Sequence, residues 1–426
     1  MRKPSVWARL LGVERSVIER VEFSDEEELL ICHVRPVKSE CRRCGICRRR
    51  CPGYDRGTGR RRWRALDLGT VRAVLEADAP RVRCRAHGVV VAAVPWARHG
   101  AGHTRFFDDQ VAWLAVTCSR TAVCQLMRIA WRSAGAIVRR VEADVDAATD
   151  RLAGLHRIGI DEISYKRGHK YLTVVVDHDS GRLVWAAPGH DAATLGQFFA
   201  LLGPQRCQLI THVSADAAEW IAKAVAAHCP AAVRCADPFH VVKWATGALD
   251  QARRDAWNRA RAAQGKGLQD NRGRHIAAGH ARALKHARWA LWKNPENLTS
   301  RQQAKLEWIA RTDPCLYRAY LLKEGLRYVF KVKGEDGKQA LDRWCSWAQR
   351  SRIPSFVELS RMITRHRQAI DAALEHRLSN ALVESVNTKI RLITRIASGF
   401  HDPAALIALA LLSLGGYRPP LPGRRS

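Results

Sequence analysis

Three acidic residues stand where a metal-dependent centre would need them. Asp161 follows the apolar run in "RIGID", Asp216 follows "LITHVS" at the entry to a helical stretch, and Glu384 lies far downstream in "LSNALVESVNTKIRLITR". Two carboxylates at neighbouring strand ends and a third on a packing helix can converge on one point. Oxygen donors of this kind suit Mg2+ or Mn2+, which take a few carboxylates, water and substrate phosphate. Two such ions about 3.5–4 Å apart activate an attacking oxygen and stabilise a leaving one in phosphodiester chemistry. Each acid also has a plainer reading: an Asp after a strand commonly serves a turn or caps a helix, and a helical Glu can simply be solvated.

The elements that must position these acids are legible as patterns. "RIGID", "KYLTVVVD" and "RLVWAAP" read as three strands, with turns at Gly168 and at Ser180-Gly181. A helix over 192–203 follows, then a strand "CQLITHVS", a helix "AAEWIAKAVAAHC" and a strand "AAVRCA". That order predicts a mixed α/β sheet. Beyond Asp237 the chain turns long-helical over about 240–375, divided at Pro295, Pro314 and Pro354. A further helix spans about 378–395, and a last apolar helix precedes a Pro/Arg-rich tail.

The amino-terminal part carries a second kind of chemistry. Cys41-Arg-Arg-Cys44-Gly-Ile-Cys47 holds two overlapping Cys-x-x-Cys pairs, and Cys84-Arg-Ala-His87 repeats the spacing. Two such knuckles supply four soft ligands for a tetrahedral structural Zn2+. Cys44, Cys47, Cys84 and His87 are the preferred set, with Cys41 or Cys51 as substitutes. With four protein ligands, such a zinc has no open position for catalysis. The alternative is a set of reduced thiols in a small basic domain; the scattered later cysteines read as buried structural thiols.

Charge points to the partner. Seventy-one Lys and Arg against 41 Asp and Glu leave +30 in 426 residues, with a pI near 10.4. A surplus of this size attracts a polyanion by counterion release, which favours nucleic acid. Apolar residues make up 47 % of the chain, enough for packed cores. There is no secretory signal and no long uncharged apolar run, so a cytoplasmic, nucleoid-associated protein without membrane contact is expected. About 104–150 should hold three short helices, the first carrying Val111 and Leu114, with Ser119 and Ser133 as N-caps of the next two. Within it, "CSRTAVCQLMRIAWRSAGAIVRRV" reads as a helix-turn-helix joined near Trp131-Arg132-Ser133. Ala122, Val123, Leu126 and Ile137 would form its packed side, and Arg132, Arg139 and Arg140 would reach phosphate; any helical hairpin gives a similar pattern. Trp289, Trp292, Trp344 and Trp347 sit among many cations. They suit core packing, or stacking on an unpaired base.

Longer blocks carry a family resemblance. "IGIDEISYKRGHKYLTVVVDHDSGRLVW", "VSADAAEWIAKAVAAHCPAAVRCADPFHVVKWATGALDQARR", "WALWKNPENLT" and "SNALVESVNTKIRLITRIASGF" resemble the DDE-type transposases of the L-three (ISL-three) family of bacterial insertion sequences, in the same order over nearly the whole chain. The resemblance implies a ribonuclease-H-like catalytic domain interrupted by a helical insertion. It implies Asp161, Asp216 and Glu384 as the catalytic triad, and an amino-terminal zinc-binding region. Asp237-Pro-Phe-His240 resembles the Asp/Cys-x-x-His signature of related transposases, so Asp237 is an alternative second acid. Asp216 is preferred because its strand leads directly into a helix. His240 would then orient DNA or support the site, or be a buried histidine bonded to backbone. Glu162, next to Asp161 on a strand, should point to the opposite face.

The resulting expectation is an α/β enzyme in five segments: a zinc-binding β module (1–95), a helix-turn-helix domain (96–150), the first part of the catalytic domain (151–239), an all-helical insertion (240–375) and the last part with the Glu-bearing helix and tail (376–426). It would bind double-stranded DNA at the terminal inverted repeats of its element, as a homo-oligomer. With two Mg2+ or Mn2+ ions it would cut and rejoin strands. The rivals are a catalytically dead DNA-binding repressor descended from such an enzyme, and a ribonuclease-H-like nuclease that cuts without joining.

Overall fold

The computed structural model describes residues 6–264 and 276–424, with side chains described outside 263–280. The chain divides into two compact units, Met1–Arg151 with Ile390–Ser426, and Leu152–Lys389.

The first unit begins with a short helix, α1 (Val6–Leu10), and seven strands: β1 (Ser16–Ser24), β2 (Leu29–Pro36), β3 (Gly53–Asp55), β4 (Arg60–Arg64), β5 (Arg72–Asp78), β6 (Arg81–Cys84) and β7 (Gly88–Val91). Four of them form a sheet of order β1-β2-β5-β4, and β3-β6-β7 form a separate ribbon. The sheet buries Cys32, Val34, Trp63, Leu75 and Trp96 as one core, with the Trp63 and Trp96 rings edge to face at 5.6 Å. Three helices follow: α2 (Arg105–Thr117), α3 (Arg120–Met127) and α4 (Trp131–Ala148). Thr104 caps α2 by accepting the Phe107 N–H, and Ser119 caps α3 by accepting the Ala122 N–H. Ser133 is not a cap. It lies inside α4, whose preceding residue is Ala130, and the turn falls at Arg128–Ala130 with Arg128 left-handed at φ 50°.

The second unit is built on five strands: β8 (Arg157–Lys166), β9 (Lys170–Asp177), β10 (Leu183–Pro188), β11 (His212–Ala215) and β12 (Val233–Ala236). Their order is β10-β9-β8-β11-β12. β8, β9 and β10 pair antiparallel as a meander, whereas β11 and β12 run parallel to β8. Parallel pairing requires crossovers, supplied by α5 (Ala192–Leu202) with α6 (Pro204–Cys207), and by α7 (Glu219–His228). Asp191 caps α5 through the Thr194 N–H. Ile158, Ile160, Leu195, Phe198, Val213 and Ile221 fill the core between this face of the sheet and its helices.

The helical run forms a separate core. It comprises α8 (Pro238–Gln264), α9 (Ile276–Lys285), α10 (Arg288–Trp292), α11 (Ser300–Thr312), α12 (Pro314–Val332), α13 (Gly334–Arg350), α14 (Pro354–Arg365) and α15 (Arg367–His376). Pro314 and Pro354 each occupy a first helical position, where a missing N–H leaves no bond unmade. Trp344 packs inside and donates its indole N–H to the Leu322 carbonyl at 2.7 Å. Trp289, by contrast, is 60 % exposed. The chain closes with α16 (Ala381–Ile396) and α17 (Pro403–Leu414); α17 packs on α4 in the first unit.

Candidate active site and zinc site

β8 runs five residues past Asp161, so this acid is not at the strand's end as the pattern "RIGID" suggests. Its pairing with β11 nevertheless stops at Gly159, two residues earlier. Asp161 therefore lies just past the parallel half of the sheet, where only the β8–β9 hairpin continues. Asp216 directly follows β11 and Asp237 directly follows β12, in the same register, with the Asp237 N–H donating to the Ala215 carbonyl at 3.0 Å. Three acids thus gather where the parallel pairing of β8, β11 and β12 ends, the side of the sheet where α/β folds place ligands.

The helix bearing Glu384 is anchored to this edge by two asparagines. Asn380, fully buried, directly precedes α16, and its carbonyl accepts the Glu384 N–H at 2.8 Å. Its side-chain amide donates to the Ile160 carbonyl (3.1 Å) and its backbone N–H to Asp237 Oδ1 (3.2 Å). One turn beyond Glu384, Asn387 Nδ2 donates to Asp161 Oδ2 at 2.9 Å. At ~100° per residue, positions 380, 384 and 387 fall within one narrow arc of the helix. Glu384, half-buried, therefore shares the face whose flanking residues grip β8.

Close approach depends on Gly159. A Cβ there would stand 2.4 Å from Val383 Cγ2 and 2.8 Å from His178 Nε2, so the glycine lets α16 settle onto the sheet. Beneath it, His178 Nε2 bonds Ser214 Oγ at 2.7 Å, and Ser214 donates to Asn380 Oδ1, closing a buried polar chain that ends at Asp237.

Electrostatics mark the site. Burial, opposed by the Glu162 N–H and His240 and reinforced by Asp216 and Asp237, raises the Asp161 carboxyl above the usual carboxylate range. Glu162 is also raised, by burial and then by Asp216, so this neighbour lies in the same field. His240 is held above the ordinary imidazole range, chiefly by its bond to Asp237 at 2.8 Å. Both Asp237 oxygens are engaged, Oδ1 by Asn380 and Phe239 N–H groups and Oδ2 by His240. Asp216 Oδ1 accepts the Ala218 N–H at the helix entry. Asn380 and Asn387 belong to no chemical motif legible in the sequence. The only available signal was their spacing of four and three residues on either side of Glu384.

In the first unit, the ligand atoms of Cys44, Cys47, Cys84 and His87 lie within 4.8 Å of one another, the one such metal-competent group of His, Cys, Asp and Glu among the described residues. The Cys47 and Cys84 sulfurs are 3.7 Å apart, and His87 Nδ1 is 3.7 Å from Cys44 and 3.5 Å from Cys84. Zn–S bonds of about 2.3 Å in a tetrahedron span edges of roughly that length, so the four donors fit structural zinc. The Ala86 N–H, then His87, lower the Cys84 thiol to about 6, near the thiolate form a metal needs. Cys41 is exposed and bonds the Val37 carbonyl instead. Cys51 stands beside the quartet, next to Cys84.

The helix-turn-helix needs two corrections. Val123 and Ile137 are buried as expected, but Leu126 is 63 % exposed and Met127 takes the inward place. Arg140 is turned inward onto the wholly buried Asp108 at 3.3 Å, so it serves as an internal counter-ion rather than a phosphate contact. Arg132 is exposed, and Arg139 makes a half-exposed pair with Asp402 at 3.1 Å. Such a surface pair is weak and readily exchanged for phosphate.

A zinc ribbon, a helical DNA-reading hairpin and an acid-lined α/β sheet define a DNA-transposing enzyme, and comparison with known proteins agrees. Residues 158–410 match the ISL3 DDE family described as "Transposase". Residues 92–142 match the helix-turn-helix domain of transposase family ISL3, and residues 41–87 the zinc-finger of transposase IS204/IS1001/IS1096/IS1165. The chain belongs to the ISL3 family of DDE transposases. It is 64 % identical over 438 residues to a transposase for insertion sequence element IS1557 of Mycobacterium tuberculosis, covering 100 % of this chain and 99 % of that protein. A transposase for insertion sequence element IS1001 of Bordetella parapertussis is 27 % identical over 392 residues, covering 90 % of this chain and 92 % of that protein. No helix among the described residues is long and apolar enough to cross a membrane.

Proposed function

We propose that the chain binds the terminal inverted repeats of an insertion sequence as an oligomer on DNA, and that Asp161, Asp216 and Glu384 form its catalytic centre. The sheet order and its mixed pairing support a ribonuclease-H-like catalytic domain in two parts, 151–239 and 376–426, with 240–375 as a helical insertion. The zinc module (1–95) and helix-turn-helix (96–150) precede it, zinc being held by Cys44, Cys47, Cys84 and His87.

The observation that carries the catalytic reading is the Asn380–Asn387 grip, which brings the Glu384 face of α16 to the strand edge bearing Asp161. Hard, partly desolvated carboxylates suit Mg2+ or Mn2+. Two such ions, when bound, activate the attacking oxygen and stabilise the leaving one. Asp161 must be ionised to hold a cation, and Asn387 fixes the direction of its carboxylate. Asp237, its oxygens already engaged, positions Asn380 and His240 rather than holding an ion. Water attacks the phosphorus at the element end, the opposite P–O bond breaks, and a 3′-hydroxyl is left. That hydroxyl then attacks a target phosphodiester in line, displacing its 3′-oxygen.

The test is a Mg2+-dependent strand-transfer assay on end DNA with Asp161→Asn, Asp216→Asn, Asp237→Asn and Glu384→Gln. Loss of joining with retained DNA binding is expected for the first, second and fourth. Full activity in Asp216→Asn with loss in Asp237→Asn would reverse the assignment of the second acid. Joining by the unaltered chain excludes both a dead repressor and a nuclease that only cuts.

A further inference from the structure

At the free edge of the catalytic sheet, β12 borders a cavity of about 470 Å3 that the acidic centre does not account for. Arg234 of β12, Arg365 at the end of α14, and His366 and Gln368 at the start of α15 line one side; Val225 and Ala369 contribute apolar wall. No acidic residue is among the lining.

Three observations show a site built for an anion. The Arg234 Nε–H is buried and meets no acceptor among the described residues, although a buried unpaired donor is costly and rare. The charges acting on His366 are of one sign: after burial, Arg234 and Arg365 both push its imidazole toward its neutral form. Arg365 has a long, exposed pair with Glu358 at 3.5 Å. The first turn of α15 also opens here, with no side chain capping it, so its leading N–H groups add partial positive charge. Cations collected around an apolar pocket whose lining holds no carboxylate suit an anionic ligand.

We infer that this cavity binds a backbone phosphate of the DNA strand running into the acidic centre. Arg234 precedes Asp237 by three residues on one strand, about 10 Å at ~3.3 Å per residue. Asp216 acts electrostatically on Arg234. A single DNA strand, advancing ~3.4 Å per nucleotide along the duplex axis, spans that distance in about three nucleotides. The pocket would hold the strand in register while the acids act a few nucleotides away. This assignment rests on the transposase reading only for the identity of the strand.

The test measures affinity of the full-length protein for duplex end DNA against salt, comparing wild type with Arg234→Gln. Loss of one charge-assisted phosphate contact should lower affinity roughly tenfold at ~0.1 M salt and flatten the log–log salt slope by about one. Unchanged affinity and slope in a variant that melts like wild type would overturn the proposal. A second measurement covers a misfolded variant: Gln368→Cys is challenged with DNA carrying a disulfide-active tether on one backbone phosphate at a time. Trapping confined to one or two phosphates near the cut supports the assignment, whereas no trapping, or trapping along the whole strand, refutes it. Calorimetric binding of inorganic phosphate with an unaltered DNA slope would make this a free-anion pocket, which also refutes it. Continued joining by Asp161→Asn would sink the catalytic reading without touching any of these outcomes.

Discussion

Burial of the Asp161 carboxylate works against the stability of the fold. Folding raises its pKa, so between the unfolded value near 4 and the raised folded value the native state binds more protons. Stability therefore falls as pH rises through that window and stays lower above it. Asp161→Asn removes this penalty: in chelator at neutral pH the variant should melt above wild type, with the gap closing as pH drops below the ordinary carboxylate range, while joining is lost. A lower melting temperature at neutral pH would contradict the burial argument. Asn387 makes the opposite prediction. It touches the acid, not the substrate, so Asn387→Ala should slow joining about 10–100-fold with little change in DNA affinity. Equal losses in binding and joining would show a merely structural role.

At the scale of elements, α16 owes its seat to one missing side chain. Gly159→Ala sets a methyl group 2.4 Å from Val383, and overpacking of this kind costs about 1–3 kcal/mol. Melting temperature and joining should both fall, and Val383→Ala in the same chain should restore part of each. Failure of the second change to rescue would mean the helix is held elsewhere. The ribbon β3-β6-β7 depends on its metal in the same local way. Cys44→Ser should strip zinc from the purified protein, read by elemental analysis, whereas the exposed Cys41 can become Ser without loss. Zinc loss from Cys41→Ser would shift the ligand set.

The whole molecule carries +30, and this charge acts on DNA before any specific contact forms. Affinity for end DNA and for unrelated duplex should both fall steeply with salt. Discrimination between them should survive, because base contacts do not depend on counterions. A flat salt response would show that the surplus is engaged within the protein, as Arg98, Arg140 and Arg151 are.

Periodicity and punctuation alone disclosed most elements. β9 carries the β-branched apolar run Val174–Val176 and the helical prolines sit at first turns, local features that need no partner to be read. Ligand spacing disclosed the zinc knuckles for the same reason: Cys-x-x-Cys and Cys-x-x-His are short-range geometry. The sequence also placed Leu126 inward and Arg140 outward, and tertiary packing reversed both, because a helix can turn its apolar side only as its neighbours allow. The extension of β8 beyond Asp161, the choice of Gly159 as the contact point, and the grip of Asn380 and Asn387 were equally beyond reach. Each joins residues more than 200 positions apart, or depends on a strand's partner ending early. Local sequence encodes which residue can do chemistry, but only the packed chain decides which of them meet.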